Sequence, residues 1–152
     1  MGCQYGARAV HQGILDQPLT KNLRTFVVWI PMLGTDERTD AVAASAQFSG
    51  LSQFWDGDKL AGNEVGASLG SNRTAWDIYL FYPPGVTWTD HLPPPDTVLA
   101  QTQGMVVANK GKLPPLPDQS ALSGKLAEAG EIVGSPDKLP ALLGEVAQRF
   151  TR

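Results

Sequence analysis

The sequence has few of the residues on which most catalytic centres depend, with one cysteine and two histidines among its 152 residues. A single cysteine excludes an intrachain disulfide, a Cys-X-X-Cys redox pair and a cysteine-rich zinc site within this chain. The spacing of Cys3, His11 and His91 gives no sign of a metal site. We therefore expect structural roles for both histidines, no metal and no cofactor.

Charge and long apolar runs are also scarce. Charged residues make up 18% of the chain and the net charge is −3, so a nucleic-acid partner is not expected. No apolar run approaches about 18 residues, so we expect no membrane span. The first residues lack the basic start and apolar stretch of a signal peptide, which favours a cytoplasmic protein. The apolar fraction of 42% is enough for one globular core in a chain of this length.

Apolar patterns predict alternating helices and strands along most of the chain. The strongest strand signals cover residues 26–30, expected to be buried on both faces, and residues 77–82. Weaker strands are predicted over residues 53–55, 86–88 and 105–108, and helices over residues 4–16, 36–47 and 96–103 and from Asp56 or Asp58 to Gly70. The turn signal at residues 83–85 predicts a hairpin between strands 77–82 and 86–88.

Prolines change the pattern towards the end of the chain. Residues 114–117 contain three prolines and predict a stiff linker, followed by helices over residues 119–129 and 139–150. The last helix is amphipathic, which favours a docked tail helix, with a partner-binding helix as the alternative. We therefore predict an α/β domain over residues 1–112 and a proline-rich linker with a helical tail over residues 113–152. The alternation of elements predicts a mixed sheet covered on both faces.

The order of these elements resembles the thioredoxin-like fold from its redox helix onward. Three short segments carry much of the resemblance: Cys3-Gln4-Tyr5-Gly6, Phe54-Trp55-Asp56 and Ala75-Trp76-Asp77-Ile78. Their order is similar to that in an uncharacterised bacterial group of thioredoxin-like proteins. The resemblance spans residues 3–103 and implies a three-layer sandwich with a mixed sheet, a terminal hairpin and no first strand.

The resemblance also implies that two parts of the redox site are missing. Cys3 takes the place of the second cysteine of the family's Cys-X-X-Cys motif, so the first cysteine and the central strand would precede Met1. Trp76 stands where the family has a cis-proline facing the disulfide. The absent strand would lie in mid-sheet and expose two edges. We expect residues 105–108, a partner chain or a segment encoded upstream to take its place.

Cys3 and Trp76 are the candidate site residues. Cys3 is the only candidate catalytic nucleophile, and its position at the start of a predicted helix favours the thiolate. His11 lies roughly 12 Å further along that helix, too far for a dyad with Cys3. Trp76 is expected to contact substrate. Two functions stay open: a non-catalytic scaffold that binds a second copy or another protein at an open sheet edge, and a thiol-disulfide oxidoreductase-like protein that uses Cys3 alone.

Overall fold

The computed structural model describes residues 2–18, 22–68, 72–102, 105–110 and 131–151. These residues form an α/β structure with four α-helices and six strands. The helices are α1 (Gly2–Val10), α2 (Arg38–Ser45), α3 (Leu60–Ser68) and α4 (Leu139–Arg149). The strands are β1 (Phe26–Trp29), β2 (Ser52–Trp55), β3 (Ile78–Phe81), β4 (Thr97–Thr102), β5 (Met105–Lys110) and β6 (Glu131–Gly134). The helix predicted over residues 119–129 and the predicted helix end at Gly70 lie outside the described residues.

The described strands form two separate sheets. β1 and β2 pair in parallel, with Val28 opposite Phe54. The other four strands form an antiparallel meander in the order β3-β4-β5-β6, in which Tyr79 lies opposite Leu99. β1 pairs only with β2, and β3 pairs only with β4. Both β1 and β3 are therefore edge strands in the part of the chain that the structure describes.

The partner of β3 is not the predicted one. Residues 86–88 form no strand, and β3 pairs instead with β4, which covers residues expected to be helical (96–103). A short apolar run suits a buried strand as well as a helix, and its environment decides between them. Here Val98 and Leu99, successive residues that point to opposite faces, are 0% and 1% exposed, so β4 is buried on both faces. The three prolines at residues 93–95 favour the extended approach to β4.

One further expectation about the sheets is wrong, and one alternative is excluded. β1 is not buried on both faces, because Phe26 and Val28 on one face are 45% and 42% exposed. On the opposite face Trp29 packs on Phe48, with 5.9 Å between their ring centroids. Residues 105–108 do not lie beside β1 or β3, since they belong to β5 between β4 and β6.

α2 begins two residues later than the helix predicted over residues 36–47. Glu37 caps α2 and forms a capping box with Asp40. Asp36 lies outside the helix and accepts hydrogen bonds from the Met32 N–H (2.9 Å) and the Leu33 N–H (2.7 Å). α2 contains no buried residue, so its alanines do not pack closely on a sheet.

The main core lies between the four-stranded sheet and helices α1 and α4. Leu139 and Leu143 of α4 are fully buried. Gly13 lies in the π-helical turn His11–Leu15 that continues α1, and a Cβ there would lie 2.1 Å from the Pro140 carbonyl oxygen. This close approach confirms that the predicted tail helix is docked. β6, which the sequence analysis did not predict, extends the sheet beside β5.

α1 packs on the four-stranded sheet. A Cβ on Gly6 would lie 2.5 Å from the Tyr79 hydroxyl of β3, so the first half of α1 lies directly on that sheet. His11, in the π-helical turn after α1, has its ring 6.5 Å from the Phe48 ring, and Phe48 packs on Trp29 of β1. The turn after α1 is therefore linked to the two-stranded sheet through Phe48.

Candidate functional site

The space between β1 and β3, which we call the inter-sheet gap, is bridged at one end by Trp88. The Trp88 ring centroid lies 6.4 Å from that of Phe26, at the start of β1. It lies 5.5 Å from that of Tyr82, directly after β3. The Arg24 guanidinium carbon lies 5.2 Å from the centroid of the Phe26 ring, which gives this end of the gap a positive charge.

Helix α3 spans the gap at its other end. A Cβ on Gly62 would lie 2.8 Å from Ile30 Cδ1, just after β1, and 3.1 Å from the Ala75 carbonyl oxygen, before β3. The Ala75 N–H donates to the Gly62 carbonyl at 2.9 Å. A Cβ on Gly66 would lie 2.0 Å from the Arg73 carbonyl oxygen. Only glycine permits such close approach of two backbones, so these positions hold α3 against both strand ends.

Asp56 fixes where α3 begins. Its carboxylate accepts hydrogen bonds from the Leu60 N–H (2.7 Å) and the Gly62 N–H (3.1 Å). These bonds satisfy two donors of the first helical turn that have no partner within the helix. Of the two residues at which this helix was predicted to start, Asp56 is therefore the one that caps it, and Asp58 is exposed.

The free backbone groups of β1 point towards the gap. The Trp29 carbonyl accepts a hydrogen bond from the Asp56 N–H at 2.9 Å, so Trp29 directs its backbone groups towards β2. Successive residues of a strand point to opposite edges, so Phe26 and Val28 direct theirs away from β2. The described residues provide no partner strand on that side.

The same argument applies to β3. The Phe81 carbonyl accepts a hydrogen bond from the Asp96 N–H at 3.0 Å, so Phe81 directs its backbone groups towards β4. Ile78 and Leu80 therefore direct theirs to the opposite edge, where the described structure contains no neighbouring strand. The gap is thus bordered by two rows of backbone donors and acceptors.

An apolar surface follows the open side of β1. Phe26, Val28, Phe54 and Trp88 are between 42% and 54% exposed. Val28 and Phe54 lie opposite each other in the parallel register and share one face with Phe26. β1 carries neither a charge nor a proline, the residues with which proteins commonly protect an edge strand. Contiguous apolar surface of this kind marks interaction sites.

Trp76 and Cys3 lie on neighbouring elements. Trp76 is 37% exposed and lies before β3, in an open depression of about 330 Å³ that Met32 and Asn63 also line. The backbone of Cys3 lies in the first turn of α1, and α1 packs on β3 through Gly6. The Cys3 side chain lies outside what the structure describes, so the roles predicted for Cys3 and Trp76 stay predictions.

Asp77, between Trp76 and β3, was not among the predicted site residues. Its φ angle is 53°, a left-handed conformation that aspartate adopts more readily than most residues but still at a cost. Burial raises the pKa of the Asp77 carboxyl, and the positive charge of the amino terminus partly offsets that rise. No sequence pattern signals a left-handed residue here, because the conformation depends on how the preceding segment packs on α3.

Tyr82 also lies at the gap and has an unusual hydroxyl. The hydroxyl oxygen is buried and has no hydrogen-bond partner among the described residues. Burial raises the pKa of the Tyr82 hydroxyl, because a poorly solvated site disfavours the charged phenolate. A buried polar group without a partner costs stability. The Tyr82 ring packs against Trp88, so this cost arises at the end of the gap that Trp88 bridges.

Both histidines contact nearby carboxylates. His11 Nδ1 lies 3.1 Å from Asp16 Oδ1, and His91 Nδ1 lies 3.1 Å from Glu64 Oε1. Glu64 also accepts a hydrogen bond from the Leu92 N–H at 3.2 Å, which ties the loop that carries Trp88 to α3. Among the described residues, no group of three or more metal-ligating side chains converges. No described helix is long and apolar enough to cross a membrane.

Comparison of the chain with protein-family models, with curated proteins and with solved structures gives no match. A functional assignment therefore rests on the geometry of the inter-sheet gap and on the residues that border it.

Proposed function

We propose that the chain is a non-catalytic, thioredoxin-like scaffold that binds a protein partner at the open edge of β1. The observation that carries this proposal is the unpaired edge itself, where Phe26 and Val28 combine free backbone groups with exposed apolar side chains. An extended segment of another protein can add to such an edge as a further strand. Its backbone hydrogen bonds then supply affinity, and its alternate side chains supply specificity.

The order and pairing of the elements support the thioredoxin-like part of the proposal. The chain runs α1-β1-α2-β2-α3-β3, with a parallel β1–β2 pair and an antiparallel β3–β4 pair. α1 packs on β3, and α3 contacts residues just after β1 and just before β3. The resemblance expects a central strand between β1 and β3, which is the position of the inter-sheet gap. A single cysteine, with Trp76 in place of a cis-proline, favours a scaffold without redox chemistry.

Selection from a displayed library of random hexapeptides tests the proposed edge. We expect enrichment of β-branched and aromatic sequences, because such residues favour strands. Val28→Lys places a charge at the edge and should abolish capture of the enriched peptides. Val42→Lys makes the same change on α2, at a side chain that is 63% exposed, and should leave capture intact. Absence of enrichment, or equal capture by two equally stable variants, contradicts the proposal.

A second copy of the chain is one partner that this edge can accept. Two β1 strands that pair edge to edge would bury the apolar side chains of both copies. Sedimentation velocity over a wide range of protein concentration measures this association, and Val28→Lys should prevent it. A monomer at every concentration excludes the homodimer, and the library selection then tests other proteins as partners.

The position of Cys3 favours a second candidate function, a thiol-disulfide oxidoreductase-like protein with one reactive cysteine. Cys3 lies in the first turn of α1, and that turn contains no acidic residue to oppose a thiolate. The rate of alkylation of the folded protein by iodoacetamide, measured against pH, tests this function. A profile that rises well below the value of about 8.5 for a free thiol supports it, and a profile like that of free cysteine rejects it. The cytoplasmic location also stays a prediction.

A further inference from the structure

The open edges of β1 and β3 run in opposite directions along the two sides of one gap. The start of β1 and the end of β3 meet at Trp88, through Phe26 and Tyr82. The end of β1 and the start of β3 meet at α3, where Gly62 approaches Ile30 and Ala75. Two strands joined in this way at both ends lie side by side and antiparallel, yet they share no hydrogen-bonded pairing.

Contacts at both ends keep the two edges near each other. The Trp88 ring centroid lies 6.4 Å from that of Phe26 and 5.5 Å from that of Tyr82, so both strands are within reach of one side chain at this end. At the other end a Cβ on Gly62 would lie 2.8 Å from Ile30 Cδ1 and 3.1 Å from the Ala75 carbonyl oxygen. Two strands that flank a third are separated by roughly 9–10 Å. One extended strand is therefore the element that could form hydrogen bonds with both of these unpaired edges.

We propose that a single extended peptide segment of a partner inserts between β1 and β3 and joins the two sheets in the order β2-β1-partner-β3-β4-β5-β6. This inference rests on the proposed function and narrows its partner. A strand that already belongs to a sheet has only one free edge, so the β1 edge of a second copy does not fit. The occupant is an otherwise unpaired segment that uses both of its edges.

The chemistry of the segment follows from its surroundings. β1 and β3 contain four residues each, so the segment needs about four to six residues. A strand in mid-sheet is covered on both faces, which favours a continuous apolar, β-branched run. Arg24 gives one end of the gap a positive charge, and Asp77 lies at the other end, directly before β3. We therefore expect an acidic residue at the end of the segment beside Arg24 and a basic residue at the opposite end.

Two synthetic hexapeptides test the insertion, Glu-Val-Ile-Val-Ile-Lys and Lys-Val-Ile-Val-Ile-Glu. Both are needed because the charges of the gap predict which end of the segment lies beside Arg24 but not whether that end is the amino or the carboxyl terminus. Amide hydrogen exchange by NMR reports which edge each peptide occupies. We expect the tighter-binding peptide to slow exchange at Val28 of β1 and at Leu80 of β3 by about tenfold or more. Alternate amides of an extended peptide point to its two opposite edges, so two N-methylated peptides each block the hydrogen bonds of one edge. Each should bind about tenfold or more weakly, because both edges of an inserted segment form hydrogen bonds.

Single charge substitutions test the polarity of the gap. Arg24→Glu should lower the affinity for the tighter-binding peptide by about twofold to fivefold, which is the range for loss of an exposed ion pair. Arg38→Glu makes the same charge change on the exposed surface of α2 and should leave affinity unchanged. Equal effects of the two substitutions would overturn the assigned charge pattern of the segment.

The outcomes separate this inference from the function on which it rests. Slower amide exchange at Val28 but not at Leu80, with peptides N-methylated on one edge still bound, would mean that the segment adds to β1 alone. That result overturns the insertion and leaves the proposed function standing. Failure of both peptides to bind, while the library still yields peptides that depend on Val28, overturns the insertion in the same way. Failure of both peptides and of the library selection overturns the insertion and the proposed function together.

Discussion

Gly66→Ala tests whether α3 lies against the segment that leads into β3, on which the geometry of the gap depends. An ideal Cβ at this position would lie 2.0 Å from the Arg73 carbonyl oxygen. Non-bonded carbon atoms approach to about 3.5 Å, so the two backbones must separate by roughly 1 Å or more. The neighbouring atom belongs to the main chain and has no rotamer by which to move away.

Two opposing terms set the size of the effect. Alanine improves helix propensity over glycine by about 1 kcal/mol in the middle of a helix. Overpacking of a close contact costs about 1–3 kcal/mol, and a clash with backbone belongs at the upper end of that range. We therefore expect Gly66→Ala to lower the free energy of unfolding by about 1–2 kcal/mol. With a urea dependence of about 2 kcal/mol per molar, the unfolding midpoint should fall by about 0.5–1 M.

Urea unfolding followed by tryptophan fluorescence measures this change, and Gly34→Ala is the matched control. A Cβ on Gly34 meets no atom within 4 Å, so alanine should leave stability unchanged or raise it by up to about 1 kcal/mol. If Gly66→Ala is as stable as the wild type, α3 does not approach the Arg73 segment as described. The covered end of the inter-sheet gap would then have no structural basis.

Three further substitutions test single features of the site. Asp56→Ala should lower the free energy of unfolding by about 0.5–2 kcal/mol through the loss of the α3 cap, whereas the exposed Asp58→Ala should change it by less than about 0.5 kcal/mol. Asp77→Asn should raise stability at neutral pH. Burial raises the pKa of Asp77 above its ordinary value of 3.8, so the stability of the wild type falls as the pH rises above 3.8. Unfolding measured against pH should show that the stability gained by the variant vanishes below pH 3.8. Tyr79→Phe should lose about 0.5–1.5 kcal/mol, because the Tyr79 hydroxyl accepts a hydrogen bond from a glutamine side chain at 2.7 Å, whereas Tyr82→Phe should be neutral or stabilising in the same urea assay.

Elements fixed by nearby residues could be predicted from the sequence. Asp56 is a helix cap in the sequence and in the structure, because capping depends on residues within one turn. β1, β2, β3 and β5 follow runs of β-branched and aromatic residues, and the last helix follows its amphipathic period. In each case the signal and the element occupy the same few residues.

Pairing between strands could not be predicted in this way. Residues 96–103 carry an apolar run that fits either a helix or a buried strand, and only their place between β3 and β5 makes them β4. Residues 86–88 carry the stronger hairpin signal, but Trp88 lies in a long loop and packs between two aromatic rings. The free energy that decides these cases comes from contacts between distant segments, which local propensity does not contain.

The candidate site was missed for the same physical reason. Arg24, Trp88 and Asp77 are far apart in the sequence and each has an ordinary local role, as a charge beside a strand, a loop aromatic and a strand-end carboxylate. They border one site only because contacts with α3 and Trp88 bring β1 and β3 near each other. Contacts that position both edges before a segment binds reduce the entropy that binding must overcome. Water can satisfy the backbone groups of an exposed edge, so such an edge need not destabilise the free protein. In the proposed insertion, two edges that would be a liability in an unconstrained sheet become a preorganised site for one strand.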